Sequence, residues 1–157
     1  NASPDYWLVE MSGLPFGVMG EMLEGGGNPW RGMVFGMTAR LPWAGDPRPV
    51  WKAWDAFGMH GARMIGWWVP HAPVQTGRDD VLATTYIKDG KALVAVASWA
   101  KEPVEVRLTL DAQVLGAGAT RAVTAPAIDG FQPAAVFQPG QTVRIEPGRG
   151  WLLVVGE

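Results

Sequence analysis

From residue 81 onward the apolar and polar positions follow the two-residue period of β-structure. "VLATTYIK-DG-KALVAVASWA" reads as two strands joined by Asp89-Gly90, a dipeptide that favours the tight turn of a hairpin. The second arm is apolar on both faces, at Leu93, Val94, Ala95, Val96 and Ala97, which predicts a central strand covered on both sides. "KEPVEVRLTLD" alternates instead. Val104, Val106, Leu108 and Leu110 point one way, and Glu105, Arg107 and Thr109 the other, as in a sheet with one wet face. "AVTAPAI", "AAVFQ", "TVRIE" and "GWLLVV" follow at short intervals, punctuated by Pro139-Gly140 and Pro147-Gly148. Short strands with regular turns predict an antiparallel β-sandwich over residues 79–157.

Residues 1–78 follow another rule. In "DPRPVWKAWDAFG", Asp46 can cap a helix, Pro47 suits its first position and Gly58 can end it. Val50, Trp51, Trp54 and Phe57 fall on one face, so a helix over about 47–57 is predicted with Trp51 and Trp54 in its core-facing stripe. "WLVEMSG", "RGMVFGMTARL" and "ARMIGWW" are short apolar runs bounded by turn signals, and read as strands. Strand, helix, strand is the grammar of α/β units. The fold class expected is therefore mainly β, an antiparallel sandwich preceded by an α/β segment.

Composition agrees with that division. Of nine Trp, only Trp99 and Trp151 follow residue 80, and every Met lies within the first 64 residues. The chain of 157 residues is long enough to bury a core. A net charge of −2 argues against nucleic acid or an anionic membrane surface as partner, because both attract a basic field. No apolar run approaches the roughly 18 residues of a membrane span. Cysteine is absent, which removes thiolate metal sites, and His60 and His71 lack a His-x-x-x-His spacing. No metal or other cofactor is expected. The first residues carry neither an initiator Met nor a signal pattern, and read as if cut from a longer protein.

Candidate chemistry sits around "GEMLEGGGNPWRGMVFG". Gly25-Gly26-Gly27 lacks the Gly-Lys-Ser/Thr ending of a phosphate loop. Asn28-Pro29 follows it, so no helix start is expected to offer a run of backbone N–H groups. Glu21 and Glu24 would also repel phosphate. Glu10 and Glu21 are lone acids in apolar stretches. Burial would raise their pKa values, and two such acids on one cleft would equip a glycosidase. For either residue taken alone, a solvated strand-end acid, or one paired with Arg31 or Arg40, is the favoured reading. Trp30-Arg31, Trp43 and Trp67-Trp68 can offer flat platforms to the C–H faces of sugars, with Arg and carboxylates binding hydroxyls. On a strand, adjacent Trp67 and Trp68 would face opposite sides. Ser12 and Ser98 lack the Gly-x-Ser-x-Gly elbow of a serine hydrolase.

"PDYWLVEMSGLPFGVMGEMLEGGGNPWRGMVFGMTARLPW", "WKAWDAFGMHGARMIGWW" and "VLATTYIKDGKALVAVASWA" resemble the C-terminal part of a large, mostly uncharacterised group of bacterial glycoside-hydrolase-like proteins. In that family a (β/α)8 barrel is followed by a small β-sandwich. The resemblance implies that residues up to about 75 correspond to the last barrel units, and residues 81–156 to the sandwich. Barrel active sites lie at the C-terminal ends of the strands, which would set Glu10, Glu21 and the glycine loop on the substrate side. It further implies a polysaccharide or oligosaccharide partner. The resemblance does not itself assign the acids, and Glu10 and Glu21 stand as the candidate pair by their chemistry, with Trp30, Arg31, Trp67, Trp68 and His71 as candidate substrate-binding residues. The other reading kept open is a non-catalytic carbohydrate-binding or structural sandwich belonging to a larger enzyme. Two or three barrel strands cannot close, and the apolar edges of such a partial barrel predict self-association into homo-oligomers.

Overall fold

A computed structural model of the chain describes residues 3–5, 28–37 and 46–156. Its centre is the hairpin expected from Asp89-Gly90. Strands β3 (Val81–Lys88) and β4 (Lys91–Ser98) pair antiparallel from Val81↔Ser98 to Lys88↔Lys91. Asp89 and Gly90 both take positive φ, +50° and +77°, as the two central residues of a type I′ turn must. β10 (Gly150–Val155) pairs along the other edge of β4. With β1 (Arg63–Ile65), β7 (Val123–Ala125) and β8 (Ala135–Phe137), they form a sheet in the order β1-β3-β4-β10-β7-β8. Two small sheets, β2 (Val74–Gln75) with β6 (Thr109–Leu110) and β5 (Val104–Arg107) with β9 (Thr142–Ile145), complete the sandwich. The described strands pair antiparallel throughout.

The large sheet is covered on both faces, as the doubly apolar β4 requires. Ala92, Val94 and Val96 point into a core shared with Val74, Val106, Val143 and Ile145 of the small sheets. Leu93, Ala95 and Ala97 alternate to the opposite face and meet Met33, Val34, Phe35 and Val50 from the N-terminal segment. All six residues from Ala92 to Ala97 are buried.

Helix α2 (Arg48–Phe57) lies close to the predicted span, and Gly58 ends it in the left-handed conformation at φ +83°. Asp46, two positions before the first helical residue, accepts a 3.0 Å hydrogen bond from the backbone N–H of Arg48 and also pairs with the Arg48 guanidinium. One expectation for this helix fails. Val50 is buried and Trp54 and Phe57 pack on the core, but Trp51 is 40% exposed. Val50, Trp54 and Phe57 define an i, i+4, i+7 stripe, and Trp51 sits about 100° round the helix from Val50.

The strand expected in "RGMVFGMTARL" is not formed where it is described: residues 31–33 end a helix and 34–36 make a turn. Asn28 caps α1 (Pro29–Met33), accepting the Arg31 backbone N–H at 3.1 Å, and Pro29 takes the first helical position. A helix therefore does start directly after the glycine run, contrary to the reading of Asn28-Pro29 as a loop continuation. Its five residues are too short a support for phosphate binding. "KEPVEVRLTLD" keeps its alternation but divides at Leu108 between two sheets. Strand β2, helix α3 (Ala112–Leu115) and the 3₁₀ turn Gly116–Thr120 were not anticipated.

Candidate functional site

An aromatic layer covers the N-terminal side of the large sheet. Phe35 is its hub. Its ring meets Trp67 edge-on at 6.3 Å, stacks on Trp68 at 6.3 Å and meets Trp99 edge-on at 6.4 Å. Polar anchors in β3 fix the segment that carries it. Thr84 donates its hydroxyl to the Val34 carbonyl at 2.6 Å and accepts the Trp67 backbone N–H at 3.2 Å. Tyr86 donates to the Met33 carbonyl at 2.5 Å, and burial raises the pKa of its phenol above the ordinary value.

Trp67 and Trp68 lie in a turn after β1, not on a strand, so they do not face opposite sides. Their rings meet edge to face at 5.9 Å and both contact Phe35. Gly66 makes this fold-back possible, since a Cβ there would lie 2.4 Å from the Trp68 ring. Trp68 remains 39% exposed.

Beside this layer a cleft of about 590 Å³ opens between Pro4-Asp5 and the start of the sandwich. Trp67, Val69 and His71 line it together with the polar residues Gln75, Thr76, Arg78 and Asp79. That volume lies in the range of small-molecule sites. His71 is a non-glycine residue at φ +58°, a costly conformation of the kind held at binding and catalytic sites. Thr76 stiffens the chain before β3 by donating to the Val81 carbonyl at 2.5 Å and accepting the Arg78 backbone N–H. Arg78 grips Asp80 with bonds of 2.7 and 2.8 Å, which hold the Asp80 carboxyl below its ordinary pKa. An indole ring lining the same cleft as amide and charged groups suits a polyhydroxylated ligand better than a wholly apolar one.

The predicted site residues separate into three sets. Trp67 and His71 line the cleft, with Trp68 against Trp67. Trp30 and Arg31 belong to α1 and are built into its packing. Trp30 stacks on Phe131 at 4.1 Å and 11° between planes. The Arg31 guanidinium lies 4.9 Å over Trp99, its Nε donates to the Ser98 carbonyl at 3.1 Å, and burial lowers its pKa. Glu10, Glu21 and the three glycines lie outside the described residues. Phe35, Trp99, Gln75 and Asp79 were missed. Trp99, the one Trp directly following a central strand, carried a signal that position alone could have disclosed. Among the described residues no group of three or more His, Asp or Glu side chains is placed to hold a metal ion, and no helix is long and apolar enough to cross a membrane.

The fold these elements define is a β-sandwich whose large sheet is covered on one face by the N-terminal segment. Residues 46–156 match the family described as "Glycoside hydrolase 123, C-terminal domain", and residues 1–42 match "Glycoside hydrolase 123, TIM-barrel domain". The chain belongs to the glycoside hydrolase 123 family. No curated protein matches it. Among solved structures, a beta-arabinopyranosidase crystal structure is similar at 20% identity and a TM-score of 0.34, over 52% of this chain and 13% of that one.

Proposed function

We infer that the chain contributes to hydrolysis of a glycosidic bond, with Glu10 and Glu21 as the acid pair and Trp67, Trp68 and His71 holding the sugar. The observation that carries this reading is family membership: both acids fall in the stretch matched by the barrel domain, and barrel chemistry occurs at the C-terminal ends of the strands. One carboxylic acid would protonate the departing glycosidic oxygen. The other, as carboxylate, would attack the anomeric carbon or activate a water, the separation of the two selecting between these routes. Trp30 and Arg31 act in this scheme through α1, as support for the segment that follows the glycine run. The substrate class is a polysaccharide or oligosaccharide.

The test is turnover on a panel of aryl glycosides by the whole chain, with Glu10→Gln and Glu21→Gln beside it. Each variant should lose about 10²-fold or more in kcat/KM, the usual weight of an acid or base. Unchanged turnover in both would sink the assignment.

The second reading, a binding or supporting module, is favoured by the match of most of the chain, residues 46–156, to the C-terminal domain and not to the barrel. Affinity electrophoresis in soluble polysaccharides separates the two. Retardation without product indicates a binding module, and neither retardation nor product a supporting one.

A further inference from the structure

The cleft beside the aromatic layer has a sign of charge as well as a shape. Part of its lining is the loop between β2 and β3, and that loop is tied down on both flanks of Asp79. The Thr76 hydroxyl accepts the Arg78 backbone N–H at 3.3 Å and donates to the Val81 carbonyl, and the Asp80 carbonyl accepts the Trp99 backbone N–H at 2.7 Å. Asp79 is exposed between these anchors. A second carboxylate, Asp5, borders the same space. Asp5 falls within the barrel match and Asp79 within the C-terminal domain match, so both parts of the chain contribute to it.

The cations do not balance them. No lysine lines the cleft, and the Arg78 guanidinium is gripped at 2.7 and 2.8 Å by Asp80, which is not itself a lining residue. Among the described residues neither Asp5 nor Asp79 has an ion-pair partner. With His71 counted neutral, the cleft is left with two uncompensated carboxylates. Such groups accept hydrogen bonds from hydroxyls, and they repel a second anion. In a water-like medium one unit charge about 4 Å from another is worth about fivefold in affinity.

We propose that Asp5 and Asp79 are further sugar-binding residues, and that they select uncharged glycans over those bearing carboxylate or sulfate groups. The proposal rests on the reading of the Trp67 and His71 cleft as the place that holds sugar. Because the loop is already fixed, its carboxylate is presented without a further cost of ordering.

Calorimetric titration of the whole chain tests this with soluble neutral polysaccharides that carry free C6 hydroxyls, each beside the same polymer oxidised at C6 to a uronate. The buffer is held at about pH 8, where free histidine is neutral. At low salt the neutral form should bind about 25-fold more tightly, the product of two such charges. The gap should close toward unity at about 0.5 M salt, where the screening length is about 4 Å. Asp5→Asn and Asp79→Asn should each narrow it about fivefold at low salt. Asp129→Asn, the same change of net charge outside the cleft, should leave it as it is. A gap that persists at high salt, survives both substitutions, or closes as far in Asp129→Asn overturns the selection. His71→Gly, which removes a lining side chain at a φ that glycine adopts freely, tests the underlying reading. No binding to any neutral polymer, or binding unaltered in His71→Gly, would sink the cleft as a sugar site and the selection with it.

Discussion

Gln132 should be among the most costly single positions to change in the sandwich. Its side-chain amide is buried and takes the place of a neighbouring strand beside β10. Nε2 donates to the Leu152 carbonyl at 2.9 Å and to the Pro126 carbonyl at 2.8 Å, while Oε1 accepts the Leu152 N–H at 2.8 Å. β7 pairs with β10 only at Val154↔Thr124, so it does not extend to Leu152. Leu152 is itself 0% exposed, which leaves water no access to its peptide groups. Gln132→Met keeps length and bulk while removing all three bonds. At about 1 kcal/mol net for each, the variant should lose about 3 kcal/mol. For a chain of this size that is a fall of about 6–12 °C in melting temperature. Urea denaturation followed by Trp fluorescence measures it, and an unchanged m-value would show that the same surface is exposed on unfolding. Gln132→Glu makes a sharper test. At neutral pH it sets a carboxylate against the Leu152 carbonyl and should be worse than Met, and acidification, by restoring one donor, should narrow that gap. A Met variant within about 1 kcal/mol of wild type would refute the claim that this amide substitutes for a strand.

Two further outcomes follow from close contacts. Tyr86 has its pKa raised by burial, so between the ordinary phenol value of about 10 and its higher folded value the native state holds a proton that the unfolded chain has released. Its contribution is complete below pH 10 and lost as pH rises further, and Tyr86→Phe should flatten that limb of a stability–pH curve. Gly150 sits opposite Ala97 where β10 meets β4, and a Cβ there would lie 1.7 Å from the Val96 carbonyl oxygen. Gly150→Ala should prevent closure of the pair and leave the protein largely in inclusion bodies; a soluble variant with wild-type melting would contradict the register.

What could be read from the sequence was whatever local chemistry decides. Asp89-Gly90 and the flanking runs specified a hairpin in its observed register, and Gly58 ended α2 where a left-handed residue was needed. Elements set by tertiary contact were not readable. Val74-Gln75 is a strand only because Thr109-Leu110 lies beside it. Asn28-Pro29 was legible in principle as a cap followed by a first-turn proline, but three preceding glycines drew the reading toward loop. Trp67 and His71, both legible as candidates from residue type, share a cleft. Phe35, which organises the layer beside them, looked like any residue of an apolar run. Its importance comes from Trp67, Trp68 and Trp99 arriving from 30 or more positions away.

The unequal distribution of Trp has a packing explanation that changes how the candidates should be weighed. Toward the N-terminal segment β4 presents Leu93, Ala95 and Ala97, two of them among the smallest side chains available to a strand. A sheet so shallow can bury large rings at close range, and close packing requires that volume be supplied from the other side. Trp30, Trp54, Trp67 and Trp99 supply it, all of them packed against that cluster. An abundance of Trp in this chain is therefore first a consequence of small residues in the central strand, and is weak support for sugar platforms by itself. What distinguishes a platform is reach. Trp68 keeps 39% of its surface exposed and Trp67 borders the cleft, whereas Trp30 is stacked on Phe131 and Trp54 lies 5.6 Å from Tyr86. Of the candidate rings among the described residues, Trp67 and Trp68 are the pair whose position is not explained by filling the sheet alone.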